Sequence, residues 1–295
     1  MSNDQQPIII LSGVELRAWL KSRRLQSPGA VVGFVPTMGF LHEGHASLLT
    51  AARQSCDIVV LSIFVNPLQF GPNEDFERYP RDEQRDLAIA AEYGADVVFM
   101  PQVEEMYPER TRTTVTVSGV TERLCGASRP GHFDGVATVV TKLFNLVQPD
   151  RAYFGLKDAQ QVAVIEQMVR DLNVPVEIVP CATVREADGL AKSSRNVYLS
   201  AEEREQAVIL NKALREAEQQ LRTQRDAMSS QELAAQVTAR IQEAPLARID
   251  YVEALAYPSL EPISSFTEAE QALIAVAVKF GNTRLIDNCL IRFNG

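Results

Sequence analysis

Three histidines stand in this chain of 295 residues, and all occupy glycine-containing motifs in its first half: His42-Glu-Gly-His45 and Gly131-His132. Two imidazoles three residues apart share one face of a helix, and both can donate to the oxygens of a phosphate. This pair follows an apolar run, Ala30 to Val35, through the turn Pro36-Thr-Met-Gly39. Such an order puts it at the carboxyl end of a buried strand, where open parallel sheets hold their ligands. A helix opening near Gly44 offers N–H groups and partial positive charge to an anion, and Gly44 itself permits close approach to the backbone. Without strand and turn, a surface His-x-x-His carries no such meaning. A zinc-protease helix needs its histidines four apart, so no metal-ligand set is read here.

Three further stretches place polar groups where chemistry can happen. In Phe154-Gly-Leu-Lys157-Asp158-Ala-Gln-Gln161 a strand end again runs into a helix, and Lys157 stands where an ammonium can meet phosphate oxygens. Asp158 and Gln161 are equally suited to be a helix N-cap and its partner three residues on. Leu190-Ala-Lys192-Ser193-Ser194-Arg195-Asn196 sets two hydroxyls between two cations. Such a loop can wrap a triphosphate with an Arg fork and a Lys point charge, or serve as a solvated linker. In Asn66-Pro-Leu-Gln69-Phe-Gly71, amides can grip hydroxyl and carboxylate groups without adding charge, although alone it reads as an ordinary turn.

The elements that must position these groups follow from periodicity. Apolar runs at Ala30 to Val35, Asp57 to Val65, Ala95 to Met100, Arg151 to Phe154 and Val174 to Pro180 read as strands. Helical patterns cover residues 14–25, 44–54, 82–93, 134–147 and 158–172. Their alternation predicts an α/β fold, a Rossmann-like parallel sheet with helices on both faces. Residues 112–118 alternate with a period of two and predict a short exposed strand. Polar sequence containing Pro and Gly fills 66–81. From Ser200 the texture changes: Ser200-Ala-Glu-Glu203 has the form of a capping box. Behind it Ala207, Leu210, Leu214, Ala217 and Leu221 mark one helical face. A helix over 230–243 and strands near 249–256, 272–278 and 284–291 complete a smaller C-terminal α+β unit. The predicted division is 1–185, the Rossmann-like ligand-binding unit, and 186–295, a small α+β unit placed to act as a lid.

Apolar residues make up 46% of the chain and charged ones 23%, enough for a substantial core, and the formal net charge is −9. That balance argues against general affinity for nucleic acid or anionic membranes, and it disfavours a tRNA-binding relative. An anion site must then be locally basic within an acidic protein. Cys56, Cys125, Cys181 and Cys289 form no Cys-x-x-Cys pair and read as free thiols of a reducing compartment. The polar start, residues 1–7, lacks a positive region, and the apolar run Ile8 to Leu11 is too short for a signal peptide. The expectation is a cytoplasmic protein.

Six separated segments turn these readings into one set. Pro36-Thr-Met-Gly-Phe-Leu-His-Glu-Gly-His45, Phe64-Val-Asn-Pro-Leu-Gln-Phe70, Tyr79-Pro-Arg81, Gly131-His-Phe-Asp-Gly-Val136, Tyr153-Phe-Gly-Leu-Lys-Asp158 and Ser193-Ser-Arg-Asn196 occur in this order. Along nearly its whole length the chain resembles the pantothenate synthetases (pantoate–β-alanine ligases), nucleotidyl transferases with a His-x-Gly-His type signature. The resemblance implies ATP-dependent condensation of (R)-pantoate with β-alanine, through a pantoyl adenylate, to pantothenate, AMP and pyrophosphate. It implies ATP contacts from Met38, Gly39, Phe40, Leu41, His42, Glu43, Gly44 and His45. Further ATP contacts are implied for Gly155, Leu156, Lys157, Asp158, Val184, Lys192, Ser193, Ser194 and Arg195. Gln69, Gln161 and Asn66 are the implied substrate-binding residues, and His45 matches the family's proton donor. His42, His45, Lys157 and Arg195 are expected to carry catalysis, with Mg²⁺ on the triphosphate and no metal held by residues that the sequence identifies. A homodimer is implied as well. Lys192 departs from the family, which usually has methionine there. A relative that transfers a nucleotide to a phosphate ester, or a nucleotide sensor without turnover, is the alternative; neither would release AMP when β-alanine is added.

Overall fold

A computed structural model of the chain describes residues 6–72, 74 and 76–293. Residues 1–5 of the polar start and positions 73 and 75 of the loop over 66–81 lie outside the described residues. The strands are β1 Ile8–Ile10, β2 Val32–Thr37, β3 Ile58–Ile63, β4 Val97–Phe99, β5 Arg151–Gly155, β6 Glu177–Cys181, β7 Ala247–Ala256, β8 Gln271–Phe280 and β9 Thr283–Arg292. The helices are α1 Gly13–Gln26, α2 Glu43–Ser55, α3 Glu83–Glu92, α4 Val103–Met106, α5 Leu124–Ser128, α6 His132–Val147, α7 Ala159–Asp171, α8 Ala201–Ala207, α9 Ile209–Gln224 and α10 Ser230–Ile241.

Two compact units result. The first comprises Met1–Val117, Arg129–Leu156 and Val164–Ala182; the second comprises Ser118–Ser128, Lys157–Ala163 and Thr183–Gly295. The single cut expected near 185 therefore differs from the observed division, in which two early segments join the C-terminal part. The reason is a buried amide. Gln160 accepts from Cys125 N at 2.9 Å and donates to Val120 O and Arg123 O at 2.9 and 2.8 Å, binding the two segments to each other. Glu253 of β7 then accepts from Leu124 N and from Arg123, at 3.3 Å each.

In the first unit the sheet runs β1-β4-β3-β2-β5-β6, all parallel. Adjacent residues of a strand point to opposite faces. Phe34 of β2 meets Phe144 of α6 edge-on at 6.4 Å, whereas Val35 joins a cluster with Leu48, Leu49 and Ala52 of α2. Helices therefore cover both faces, which is why the central strands read as mostly apolar runs without alternation. Strand order turns back between β2 and β5, so a crevice at their carboxyl ends is the expected ligand position.

Two details depart from expectation. The run Ile8–Ile10, read only as apolar, is an edge strand paired with β4. Residues 112–118 form no strand among the described residues; Val115 N donates instead to the Thr138 hydroxyl at 3.0 Å. Alternation makes extended backbone acceptable there, but a strand also needs a partner edge.

The second unit carries the antiparallel order β7-β8-β9. Ile274, Val276, Val278 and Phe280 of β8 share a core with Leu210, Leu214 and Leu221 of α9 and with Leu233, Val237 and Ile241 of α10. The intervening Leu273, Ala275 and Ala277 are buried too, so β8 is covered on both faces. The capping box at Ser200 and Glu203 is present and starts α8. The continuous helix expected behind it is divided at Val208 into α8 and α9.

Candidate active site

The turn after β2 is held from below. Thr37 donates its hydroxyl proton to Ser62 O at 2.8 Å and accepts from Gly39 N at 3.2 Å. Gly39 and Phe40 then adopt left-handed backbone, with φ of 82° and 49°. At Gly39 no larger residue fits, because a Cβ would lie 2.9 Å from both an Asp86 oxygen and Ile63. Asp86, on α3, fixes the turn by accepting from Phe40 N at 2.9 Å and Leu41 N at 2.6 Å. The residue is 2% exposed. Burial pushes its pKa above the ordinary aspartate value, against the two N–H donors that hold it down.

The chain then enters α2 through a capping box built from imidazoles. His42 is the N-cap, and its Nδ1 accepts from Gly44 N at 3.0 Å; His45 Nδ1 accepts from His42 N at 3.2 Å. Each neutral ring therefore carries its proton on Nε2. The ring centroids lie 4.2 Å apart. The expectation that first-turn N–H groups stand ready for an anion is corrected at two positions: Gly44 N serves His42, and His45 N serves His42 O at 2.8 Å. The donors supplied by this helix start are imidazole N–H groups as much as backbone ones.

Beside this turn stands the loop after β3. Asn66 caps the short 3-10 turn Pro67–Gln69. Its Nδ2 donates to Gln69 Oε1 and to Gly135 O, both at 3.1 Å, and Gln69 Nε2 donates to Met38 Sδ at 3.0 Å. Met38, Asn66 and Gln69 are thus brought together. Gly135 allows it, since a Cβ there would sit 2.4 Å from Leu68 O.

Residues that sequence reasoning missed complete this part. Arg129 donates to Glu74 through Nε and Nη2, at 2.6 and 2.5 Å, and to Gln69 O at 3.3 Å. Its Nη1 lies 3.0 Å from His132 Nε2. A guanidinium only donates, so His132 carries its proton on Nδ1 and gives it to Gln69 O at 2.8 Å. Burial works against the Glu74 charge, yet the bonds and charge of Arg129 leave its pKa below the usual glutamate value. Arg129 lies just before Gly131-His132, and that proximity was its one signal in the sequence.

Gly155 and Leu156 end a segment of the first unit, and the second unit carries Lys157, Asp158, Gln161, Val184 and Lys192 to Arg195. Lys157 and Asp158 lie in the 3-10 turn Leu156–Asp158, with Lys157 Nζ 3.8 Å from Asp158 Oδ2. Asn288 donates to Lys157 O at 2.9 Å. Gln161 follows in the first turn of α7. Lys192 N donates to Val184 O at 3.0 Å, closing a hairpin whose tip is Glu186 to Gly189. Ser193 caps the 3-10 turn Ser194–Tyr198 by accepting from Arg195 N at 3.3 Å. Asn196 ties the loop to Glu186 Oε1 at 3.0 Å and Ala191 O at 3.1 Å. Arg204 grips Glu186 at 2.7 Å and Asp188 at 2.8 Å. Despite burial, the bonds from Arg204 and Asn196 lower the Glu186 pKa.

The model for a family described as pantoate-beta-alanine ligase matches residues 9–290. The pantothenate synthetase of Acetivibrio thermocellus is 56% identical over 277 residues, covering 94% of this chain and 96% of that protein. That of Geobacillus kaustophilus is 57% identical over 269 residues, covering 91% and 88%. Among solved structures, the pantothenate synthetase of Thermus thermophilus superposes with a TM-score of 0.88 at 49% identity, over 96% of this chain and 98% of that one. The pantoate-beta-alanine ligase of Francisella tularensis, complexed with beta-gamma ATP and beta-alanine, gives 0.77 at 34% identity over 96% and 97%.

Proposed function

This chain belongs to the pantoate–beta-alanine ligase family, and we propose how its own residues carry out the ATP-dependent ligation of pantoate to β-alanine. A carboxylate does not react usefully with an amine, because oxide is a poor leaving group. In the proposed sequence the pantoate carboxylate attacks the α-phosphorus of ATP and pyrophosphate leaves. The β-alanine amine then attacks the acyl carbon of the adenylate and AMP leaves, giving the amide. The protein's task is to hold the reactants in line and to stabilise charge on the phosphates.

The observation that carries this reading is the imidazole capping box on the turn after β2, beside the point where strand order reverses. Both rings have Nδ1 committed to backbone, which leaves the donor on Nε2. His45, with His42, is assigned to the phosphate charge that develops during adenylation. Lys157 and Arg195 add cationic donors for the phosphates. Met38 to Leu41, Glu43, Gly44, Gly155, Leu156, Asp158, Val184 and Lys192 to Ser194 are assigned to ATP. Gln69 and Gln161 are assigned to pantoate, and Gln69 also to β-alanine; Asn66, whose side-chain positions are all taken by protein groups, is assigned to holding Gln69 in place of the direct substrate contact expected of it.

Mg²⁺ enters as part of the nucleotide. Among the described residues no three His, Cys, Asp or Glu side chains gather into a metal site. Phosphate oxygens suit this hard cation as ligands, and the ion supplies Lewis-acid polarisation of the phosphate. A lid role for residues 186–295, a cytoplasmic location and a homodimer belong to the same proposal. No described helix is long and apolar enough to cross a membrane. The deciding assay measures AMP release, which is expected only when pantoate, β-alanine and ATP are all present. Pyrophosphate formed with a phosphate ester, with no AMP released, would favour the other nucleotidyl transferases, and ATP binding without any turnover would favour a sensor.

A further inference from the structure

Asn66 is 1% exposed, and every hydrogen-bonding position of its side chain is filled. Its Nδ2 serves Gln69 Oε1 and Gly135 O, while its Oδ1 accepts from Leu68 N at 3.3 Å and from the Tyr107 hydroxyl at 2.8 Å. Tyr107 follows directly on the short helix α4, 41 residues away in sequence, in a segment with no other part in the site. Its ring is fixed independently, with Phe64 at 6.1 Å between centroids and the Lys142 ammonium 5.3 Å from its centre.

We propose that Tyr107 is a positioning residue for pantoate binding, whose hydroxyl sets the orientation of the Asn66 amide and thereby makes Gln69 present a donor. A carboxamide has two nearly isosteric orientations that interchange donor and acceptor. The Tyr107 hydroxyl proton on Asn66 Oδ1 and the acceptor Gly135 O on Nδ2 together select one of them. With Asn66 Nδ2 directed at Gln69 Oε1, the Gln69 amide is selected in turn, and its Nε2 points to Met38. Turned round, Gln69 would oppose a substrate carboxylate or hydroxyl oxygen with its own carbonyl. Burial pushes the Tyr107 phenol up to about 12, so the group remains a donor through the neutral range.

This inference rests on Gln69 contacting pantoate, and the test separates the two. In the full-length enzyme Tyr107→Phe keeps the ring and removes only the hydroxyl. The apparent KM for pantoate is expected to rise roughly five- to tenfold, the effect of one lost hydrogen bond at a buried amide, while that for ATP moves less than about twofold. In a Gln69→Ala background the same change is expected to add less than about twofold, since coupled residues are not additive. Lys142→Met removes the cation from the same ring, spares the hydroxyl, and is expected to leave the pantoate KM alone. An unchanged pantoate KM in folded Tyr107→Phe, an undiminished effect without Gln69, or an equal effect from Lys142→Met overturns the proposal. Should far-UV circular dichroism show Tyr107→Phe unfolded, Asn66→Asp provides the second arm. It still accepts from Tyr107 but faces Gln69 Oε1 with an acceptor, so pantoate KM must rise; no rise overturns the relay. If Gln69→Ala itself leaves pantoate KM unchanged, the assignment of Gln69 fails instead.

Discussion

The turn after β2 and the loop of residues 184–196 are both assigned to the same nucleotide, yet they are held in different ways. The first is pinned by buried and part-buried hydrogen bonds to backbone: Thr37 to Ser62 O, Asp86 to Phe40 N and Leu41 N, and two imidazoles to their own helix start. The second is braced by half-exposed charge pairs, Arg204 with Glu186 and Asp188, and by Arg185 with the buried Asp287 at 2.7 Å. Buried hydrogen bonds are screened little by salt, whereas pairs open to solvent weaken as ionic strength rises. One support is stiff under most conditions, and the other responds to them.

The largest expected effect tests the stiff support at its tip. His45→Ala is expected to slow adenylation by about 10²- to 10³-fold, the usual consequence of removing one transition-state donor; near-normal pyrophosphate release would remove His45 from that role. Next comes its base. Asp86→Ala leaves two buried N–H groups without their acceptor and is expected to cost roughly 2–4 kcal/mol in urea unfolding. A variant as stable as the parent would show that the turn holds itself.

The two supports should also titrate with opposite sign. Asp86 has a raised pKa in the folded protein, so the fold binds its proton more tightly than the unfolded chain does. Its contribution makes stability fall as pH rises from the ordinary aspartate value, about 4, through that raised value. Glu186 has a lowered pKa, so its contribution is present above the ordinary glutamate value and is lost as pH falls through the lowered one. Removing each with Asp86→Ala and Glu186→Gln should change the slope of urea midpoint against pH in opposite directions. Slopes of the same sign would erase the distinction. In ordinary buffer Arg204→Ala is expected to raise the KM for ATP by about threefold to fivefold, an increment typical of a half-exposed ion-pair brace. Salt should weaken the parent toward that variant. The smallest effect is expected at Lys192→Met, within about twofold on every constant, because the ATP contact assigned to this position does not need the ammonium where relatives have methionine; a tenfold rise in the KM for ATP would give the ammonium a phosphate.

Periodicity was a good guide wherever one element could satisfy itself. The runs that became β2, β3 and β5 are mostly apolar because helices cover both faces, and the capping box at Ser200 needs only four consecutive residues. It failed where a partner had to come from afar. Ile8–Ile10 became a strand only through the edge of β4, and 112–118 did not become one for want of such an edge. In the site, His42, His45, Asn66 and Gln69 announced themselves by type and spacing. Asp86 looked like any acid in an amphipathic helix, and Tyr107 like any aromatic before a proline. Their partners are 46 and 41 residues away.

What the sequence determined alone is local: which segments can be helix or strand, where a turn requires glycine, and which side chains carry donors or charge. What only the tertiary structure decided is which donors remain for a ligand. Gly44 N is taken up by His42, and the orientation of Gln69 depends on an amide and a phenol from other stretches. Local propensity is set by nearest neighbours along the chain. The satisfaction of a buried polar group is set by whatever the fold brings within about 3 Å, and the linear order of residues does not carry that distance.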